Sequence, residues 1–102
     1  MTIARRLEPP KIQVKGTLVR RTKKGSVLLK GRAMHPVGVR DVVVFRGDQK
    51  ILYLPSAAHA DHIDFSIEVP LEAGANNILI VARHDDKVMG SESVFIRSDQ
   101  PK

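Results

Sequence analysis

The chain has 102 residues, a mass of 11.3 kDa and no cysteine, so it has the size of one domain and forms neither disulfides nor thiolate metal sites. Residues 1–50 carry 13 of the 17 Lys and Arg with three acids, a net charge of +10, whereas residues 51–102 carry a net charge of −4. Three Phe, one Tyr and no Trp cannot build the stacking platform of a single-strand nucleic-acid binder, and no apolar run spans a bilayer, so we expect no nucleic-acid partner and no membrane insertion.

Seven stretches of the chain alternate apolar and polar residues or are rich in β-branched residues, and none has the spacing of an amphipathic helix. In chain order the predicted strands are residues 11–18, 26–34, 40–46, 49–54, 62–69, 78–83 and 88–97. Residues 1–10 and 98–102 lack this periodicity and are predicted to be tails or linkers around one domain at 11–97. Seven short strands in about a hundred residues predict an all-β, immunoglobulin-like β-sandwich, with a five- or six-stranded barrel as the competing architecture.

Residues with special backbone freedom predict how these strands are joined. Gly47-Asp48 is a two-residue connection typical of a β-hairpin. Gly74 and Asn76 both tolerate a positive φ, and they lie between the strands predicted at 62–69 and 78–83. We therefore predict that these two strands pair with each other as the central hairpin of the sandwich.

One long motif resembles a known family. The run Leu71-x-x-Gly74-x-Asn76-x-Ile78-x-Ile80-x-Ala82-x-x-Asp85, preceded by Val39-x-x-Val42-x-Val44, resembles bacterial immunoglobulin-like modules of the glucodextranase domain B type. Together with Asp64-Phe65 and Val69-Pro70-Leu71, the pattern is similar to the C-terminal domain of deltaproteobacterial C-terminal processing (tail-specific) serine proteases. The resemblance implies a module at the end of a larger exported enzyme, hence a periplasmic or extracellular location.

The resemblance assigns no chemistry to this chain. Such proteases are expected to use a serine nucleophile and a lysine base in other domains, and none of the six serines here lies in a matching motif. We therefore expect a non-catalytic accessory module, without cofactor, for interdomain docking, oligomer contact or substrate positioning. The alternative is a carbohydrate- or surface-binding module of a glycosidase or adhesin, for which Tyr53 is the candidate stacking platform.

Six basic residues form a candidate patch for an acidic protein or peptide partner. They lie in one predicted turn and on the outward side of the following strand: Arg20, Arg21, Lys23, Lys24, Lys30 and Arg32. The acidic balance of the second half of the chain favours such a contact, or a contact with other domains of the parent protein. The other interpretation is that these side chains form a solvated charged face.

Two groups of potential metal ligands are interpreted as ordinary polar residues. His59 and His62 lie near Asp61 and Asp64, but a zinc site needs a third or fourth ligand, and Asp61 would point away from the strand face that carries His62.

The second group, Asp85 and Asp86, lacks the alternating oxygen ligands of a calcium loop. We predict instead a tight turn in which one of these two carboxylates accepts hydrogen bonds from the nearby backbone. No metal is therefore assigned to the chain.

Overall fold

The computed structural model describes residues 8–15, 20–56 and 58–100, and in these ranges it contains strands and no helix. The strands are β1 (Lys11–Val14), β2 (Arg21–Thr22), β3 (Ser26–Met34), β4 (Asp41–Arg46), β5 (Gln49–Pro55), β6 (His62–Pro70), β7 (Gly74–Arg83) and β8 (Met89–Ser98). No helix in the described part of the chain is long and apolar enough to cross a membrane. The all-β prediction is confirmed, with eight strands in place of seven.

The strands form two sheets, with the orders β1-β3-β6 and β2-β8-β7-β4-β5. All pairings are antiparallel except that of β2 with β8, which is parallel. The predicted Gly47-Asp48 hairpin is confirmed between β4 and β5, and Gly47 has a φ of 60°. Because the described strands form two separate sheets, the architecture is a sandwich and the competing barrel prediction is wrong.

The core lies between the sheets and follows the alternation of apolar residues in the sequence. Its fully buried apolar side chains are Leu29, Val39, Val42, Val44, Val69, Ile78, Ile80 and Ile96. The strand β4, which has a partner strand on each side, is also covered on its outer face, since Val43 is only 7% exposed. At the middle of β3, Gly31 leaves room for the ring of Phe65, and a methyl group at Gly31 would lie 2.8 Å from the carbonyl oxygen of Gln13.

The predicted central hairpin is wrong. β6 pairs with β3 in one sheet, whereas β7 pairs with β4 and β8 in the other, so residues 71–73 cross between the sheets. The physical reason is that β6 and β7 find their partners in different sheets, and the crossing between them is held by the side chain of Asn76, which is 4% exposed. Its Oδ1 accepts from the Glu72 amide (2.9 Å), and its Nδ2 donates to the carbonyls of Glu72 (2.9 Å), Gly74 (3.1 Å) and Ile96 (3.3 Å).

Three boundaries differ from the predicted ones by more than one residue. β7 begins at Gly74, four residues before the predicted start at residue 78, so the predicted loop residues Gly74 and Asn76 lie within the strand. The first strand ends at Val14; of its predicted continuation, Lys15 lies outside the strand and residues 16–18 lie outside the described ranges. The predicted charged turn at residues 21–25 begins with β2, whose two residues pair with Arg97 and Ser98. A parallel pairing between strands far apart in sequence leaves no local alternation, which is why the pattern did not show β2.

The segments outside the predicted domain limits also contact the sandwich. In the predicted N-terminal tail, Pro10 is buried and its carbonyl lies against Gly90. In the predicted C-terminal tail, Ser98 is buried within β8 and its hydroxyl donates to the Lys24 carbonyl (2.9 Å). Gln100 donates a hydrogen bond to the Leu71 carbonyl (3.0 Å). The described parts of both predicted tails therefore contact the sandwich.

Candidate functional site

The six residues of the predicted basic patch lie on two surfaces. Four of them precede β3 at the β2 edge of the five-stranded sheet, and all four are exposed: Arg20, Arg21, Lys23 and Lys24. Lys30 and Arg32 point outward from β3 in the three-stranded sheet. A role of these residues in partner binding stays a prediction.

At the β2 edge, two arginines share one carboxylate. The parallel pairing of β2 with β8 places Arg21 opposite Arg97. Asp99 accepts from Arg21 Nε (2.5 Å) and from Arg97 Nε (3.1 Å). The pKa of the Asp99 carboxyl is lowered, chiefly by the hydrogen bond from Arg21, so this carboxylate is ionised at neutral pH. The group keeps one unit of positive charge, and the side chains of Arg21 and Arg97 are 70% and 58% exposed.

An exposed aromatic ring lies beside this pair. Phe95 is 67% exposed, because its neighbours Val94 and Ile96 occupy the core side of β8. Phe95 and Arg97 are two positions apart on one strand and therefore point to the same face of the sheet. We call the three side chains Phe95, Arg97 and Arg21 the Phe95 surface. It combines an apolar ring with net positive charge.

On the second basic surface, Arg32 is paired within the chain. Arg32 lies opposite Asp64 of β6 and donates to it from Nε (2.6 Å) and Nη2 (3.1 Å), while Lys15 Nζ is 3.9 Å from the same carboxylate. The pKa of Asp64 is lowered, mainly by the hydrogen bond from Arg32. Lys30 lies opposite Ser66 and makes no ion pair with the residues that the structure describes. Arg32 is therefore less available to a partner than the prediction assumed.

The candidate zinc ligands do not converge. His62 Nδ1 lies 2.8 Å from the carboxylate of Asp61, whereas His59 Nε2 faces a third histidine, His84, at 3.4 Å. Within residues 8–15, 20–56 and 58–100, no three side chains of His, Cys, Asp or Glu are placed to hold a metal ion.

The predicted tight turn after β7 is confirmed. Asp85 Oδ1 accepts from the backbone amides of Lys87 (2.8 Å) and Val88 (2.7 Å), and these two hydrogen bonds lower the pKa of the Asp85 carboxyl. Asp86 instead forms an ion pair with Arg40, at 2.9 Å. Both carboxylates therefore have partners within the chain.

A buried ion pair on the outer side of the five-stranded sheet was not predicted. Asp41 begins β4, its side chain is 1% exposed, and it accepts from Arg83 Nε (2.7 Å) and Nη2 (2.5 Å) on β7. The Tyr53 hydroxyl (3.4 Å) and Arg40 Nε (3.8 Å) approach the same carboxylate. The hydrogen bond from Arg83 is the main cause of the lowered pKa of Asp41, and it outweighs the opposing effect of burial. We interpret this pair as a clamp between two neighbouring strands.

Tyr53, the candidate platform for a sugar, lies at the edge of the same sheet. Its side chain is 50% exposed, and Lys50 Nζ lies 5.8 Å from the ring centroid. Burial would have removed this residue as a stacking platform. Its exposure leaves the carbohydrate alternative in place.

Three histidines meet at one end of the sandwich, which the sequence did not indicate. The rings of His35 and His84 stack, with centroids 4.5 Å apart and planes 17° apart, and His59 packs edge-on against His84 with centroids 5.3 Å apart. His35 and His84 are 3% and 9% exposed. The three residues come from different loops, so only the fold brings them together.

Comparisons with known proteins define the class of fold. No family model matches the chain, and no curated protein is similar enough in sequence to match it. A solved structure of fibronectin(III)-like modules of Clostridium thermocellum CbhA matches with a TM-score of 0.65 and 17% identity over 92% of this chain. The match covers 48% of that chain, so the present chain spans about half its length. The chain therefore has an immunoglobulin-like β-sandwich fold of the fibronectin(III)-like kind, and the glucodextranase and protease resemblance stays a prediction.

Proposed function

We propose that the chain is a non-catalytic accessory module that docks an acidic, partly apolar protein surface through the Phe95 surface. The observation that carries this proposal is the 67% exposure of Phe95 beside two arginines that share one carboxylate. Fibronectin(III)-like sandwiches hold loops and sheet faces rigidly, which suits a binding role. A serine protease site needs a serine nucleophile and a base, and none of the six serines lies in a motif that matches such a nucleophile.

The composition of the Phe95 surface is that of a binding hot spot. Aromatic residues and Arg dominate the energetically important positions of protein interfaces. Covering a fully exposed Phe side chain contributes roughly 1.5–3 kcal/mol, and about two thirds of the Phe95 side chain is available for this. The ring is therefore the expected anchor of the contact.

The charges around Phe95 define the partner's chemistry. Arg21 and Arg97 keep one net positive charge after pairing with Asp99, and Lys23 and Lys24 follow Arg21 in the same exposed turn. A partner with carboxylates around an apolar side chain complements this arrangement. Because these charges are solvent-exposed, the contact should weaken as salt is added.

The proposal is tested by nuclear magnetic resonance with the isotope-labelled chain and a synthetic peptide that alternates Glu and Leu. Amide shifts should change along β8 and β2 and disappear at high salt. The same peptide with Lys in place of Glu should give no shifts. Phe95→Ala should reduce binding about tenfold, in keeping with the loss of one buried aromatic anchor.

The matched control is Leu28→Ala, which removes another exposed apolar side chain, 55% exposed, from the outer face of the other sheet. Leu28→Ala should bind the peptide as the unmodified chain does. Equal losses in the two variants, or binding that ignores the sign of the peptide charge, would refute a specific Phe95 surface.

We further propose, from the motif resemblance, that the module belongs to an exported tail-specific serine protease and acts in the periplasm or outside the cell. An antibody raised against the chain tests this on immunoblots of fractionated source cells. A band several times larger than 11.3 kDa in the exported fraction is expected. A cytoplasmic band, or one at the mass of the chain itself, would contradict the proposal.

The second candidate function is carbohydrate binding, which the half-exposed ring of Tyr53 favours. Affinity electrophoresis in gels that contain soluble polysaccharides measures it directly. If sugars stack on this ring, a polysaccharide in the gel should slow the unmodified chain and should not slow Tyr53→Ala. Phe95→Ala is the control and should be slowed as much as the unmodified chain. Unchanged mobility across the polysaccharides would remove this candidate.

A further inference from the structure

The strand β6 forms an edge of the three-stranded sheet, and all nine of its residues lie opposite residues of β3 in an unbroken register. Just after the strand, the Leu71 amide donates to the Gly25 carbonyl (2.9 Å). Just before it, the Asp61 carbonyl accepts from the His35 amide (2.9 Å). Because hydrogen-bonded pairs alternate along an antiparallel ladder, the odd-numbered residues of β6 bond to β3. The backbone groups of the even-numbered residues therefore point to the open side of the sheet: His62, Asp64, Ser66 and Glu68.

The open side of β6 lacks the features that usually keep strand edges apart. Among the described residues, none forms a hydrogen bond with an open-side backbone group of residues 62–68, and the Pro70 carbonyl beyond them accepts from Arg46 Nη1 (2.7 Å). Before Pro70 the strand contains no Pro, no Lys, no Arg and no bulge, which are the residues and irregularities that natural proteins place at exposed edges. An edge of this length without such protection is a template for pairing with another strand.

The other strand edges are short, irregular or covered. β1 has four residues and β2 has two. β5 carries Lys50 and Pro55, and its pairing with β4 contains a bulge. β8 pairs with β2 at its end, and the Pro10 carbonyl lies against Gly90 near its start. Among the described strands, β6 is therefore the long, regular edge that is available to a partner.

A second copy of β6 complements the open groups of the first. When two copies run antiparallel about a twofold axis at Phe65, residue 62 of one copy lies opposite residue 68 of the other, and residue 64 lies opposite residue 66. Each of these pairs joins two residues whose amide and carbonyl point at the facing strand. All open-side backbone groups from His62 to Glu68 then have partners, and the contact is the same on both copies, as a twofold interface requires.

The charged side chains favour this register over its neighbours. In this register Asp64 lies opposite Ser66 of the second copy. Glu68, which accepts from Ser26 Oγ (2.8 Å), lies opposite the imidazole of His62, so no like charges face each other. An axis at Ser66 would place Asp64 opposite Glu68, and an axis at Asp64 would place two copies of that carboxylate opposite each other. Both arrangements are unfavourable because like charges directly opposite destabilise a strand pair.

The core side of the two strands is apolar in the same register. Ile67 of one copy lies opposite Ile63 of the other, and Ile67 is half-buried in the single chain. β5 packs against β6 across the sandwich, and its half-buried Leu52 and Leu54 lie at this side of the core. Pairing of two copies removes part of this apolar surface from water, which favours association.

We propose that the chain forms a twofold dimer through its β6 edges, in which the two three-stranded sheets continue into one another. The occupant of the edge is a second copy of this chain, because hydrogen bonds, charges and apolar side chains all match in one register. The dimer does not use the five-stranded sheet, which carries the Phe95 surface. This inference therefore does not depend on the proposed docking function.

Sedimentation equilibrium of the full chain from about 10 µM to about 1 mM tests the dimer, since small interfaces dissociate in this range. The mass should rise with concentration from 11.3 kDa toward twice that value. Ser66→Pro removes an open-side amide without removing a bond to β3, so it should keep the circular dichroism spectrum of a β-sheet and stay at 11.3 kDa throughout. Ser66→Ala keeps the amide and should dimerise as the unmodified chain does.

A charge variant tests the same contact without altering the backbone. Ser66→Asp places an acid opposite Asp64 of the second copy in each half of the dimer, and it should weaken dimerisation about tenfold. In a mixture of isotope-labelled and unlabelled chains, nuclear Overhauser effects between copies should connect Ile63 with Ile67, which identifies the register.

A chain that stays monomeric at about 1 mM, or a Ser66→Pro variant that dimerises as the unmodified chain does, would overturn the proposal. Nuclear Overhauser effects that connect the copies through the five-stranded sheet would contradict it as well. Binding of an extended peptide along β6 by a chain that remains monomeric would assign the edge to a strand of another protein and would equally refute the second copy.

Discussion

Asp41→Asn is the substitution that most directly tests the clamp between β4 and β7. It keeps the size of the side chain and removes its charge, so Arg83 loses one of its two hydrogen bonds of 2.7 and 2.5 Å and makes the other to a neutral amide oxygen. The carboxylate is 1% exposed, whereas the Arg83 side chain is 29% exposed. Water can therefore rehydrate part of the guanidinium in the variant, although the site of the lost charge stays buried.

The expected cost follows from these exposures. Removing one partner of a fully buried ion pair costs about 3–5 kcal/mol, and partial rehydration of Arg83 and one remaining hydrogen bond to the Asn oxygen reduce this value. We therefore expect the free energy of unfolding to fall by about 2–3 kcal/mol at neutral pH. That loss is a large share of the roughly 5–15 kcal/mol that stabilises a domain of ordinary size.

The effect should depend on pH in one direction. The pKa of Asp41 is lowered in the folded chain, mainly by the hydrogen bond from Arg83. Its contribution to stability is present above the unfolded value of about 3.9 and is lost as the pH falls through the lower folded value. The unfolding free energies of the unmodified chain and of Asp41→Asn should therefore converge as the pH is lowered below about 3.9.

Urea unfolding followed by circular dichroism measures both effects, provided that the two proteins have the same denaturant slope. The control is Asp86→Asn, because Asp86 is 80% exposed and pairs with Arg40 at the same end of the sheet. This control should change stability by no more than about 0.5 kcal/mol. A similar cost for the two variants, or a cost of Asp41→Asn that is constant with pH, would refute the clamp.

Three further substitutions have definite expected costs in the same urea assay. Asn76→Ala leaves the polar groups of the inter-sheet crossing unsatisfied and should cost about 2–4 kcal/mol, whereas a loss below about 1 kcal/mol would contradict the structural role of the carboxamide. Gly31→Ala should cost about 1–3 kcal/mol because the methyl group collides with Phe65 and approaches Gln13. Gly47→Ala meets no atom but requires a φ of 60°, so it should cost about 1–2 kcal/mol, and no cost would show that the turn relaxes.

The strands were predictable because alternation is a local signal. In β3, Leu29 and Ala33 face the core and Lys30 faces outward, as the pattern predicts. The exposure of Phe95 also follows from this pattern, because its neighbours Val94 and Ile96 face inward. The exposure of the proposed docking residue was therefore predictable from the sequence, although the alternation gives no measure of how far a ring extends beyond its neighbours.

Strand partners were not predictable from the same signal. Gly74 and Asn76 suit a hairpin turn, yet the φ of 100° at Gly74 and the buried carboxamide of Asn76 serve a crossing between sheets. A hairpin and a crossing require similar residues, because both need backbone freedom and a side chain that bonds the backbone. The distinction depends on which strands are available to pair with β6 and β7. Their partners β3 and β4 lie much earlier in the chain, beyond the range of a local pattern.

Ion pairs join residues from the two halves of the chain, which differ in net charge, and these pairs were not predictable from the sequence. Arg32 and Asp64 are 32 residues apart, Arg83 and Asp41 are 42 apart, and Arg21 and Asp99 are 78 apart. Arg32 and Arg21 of the basic half are thus paired with acids of the other half, whereas the pair of Arg83 with Asp41 runs in the opposite direction. What distinguishes the Phe95 surface is not its total charge but an exposed aromatic ring beside two arginines that share one acid. The proposed partner would supply a second carboxylate to these arginines. Asp99→Asn should therefore strengthen the binding of the peptide that alternates Glu and Leu.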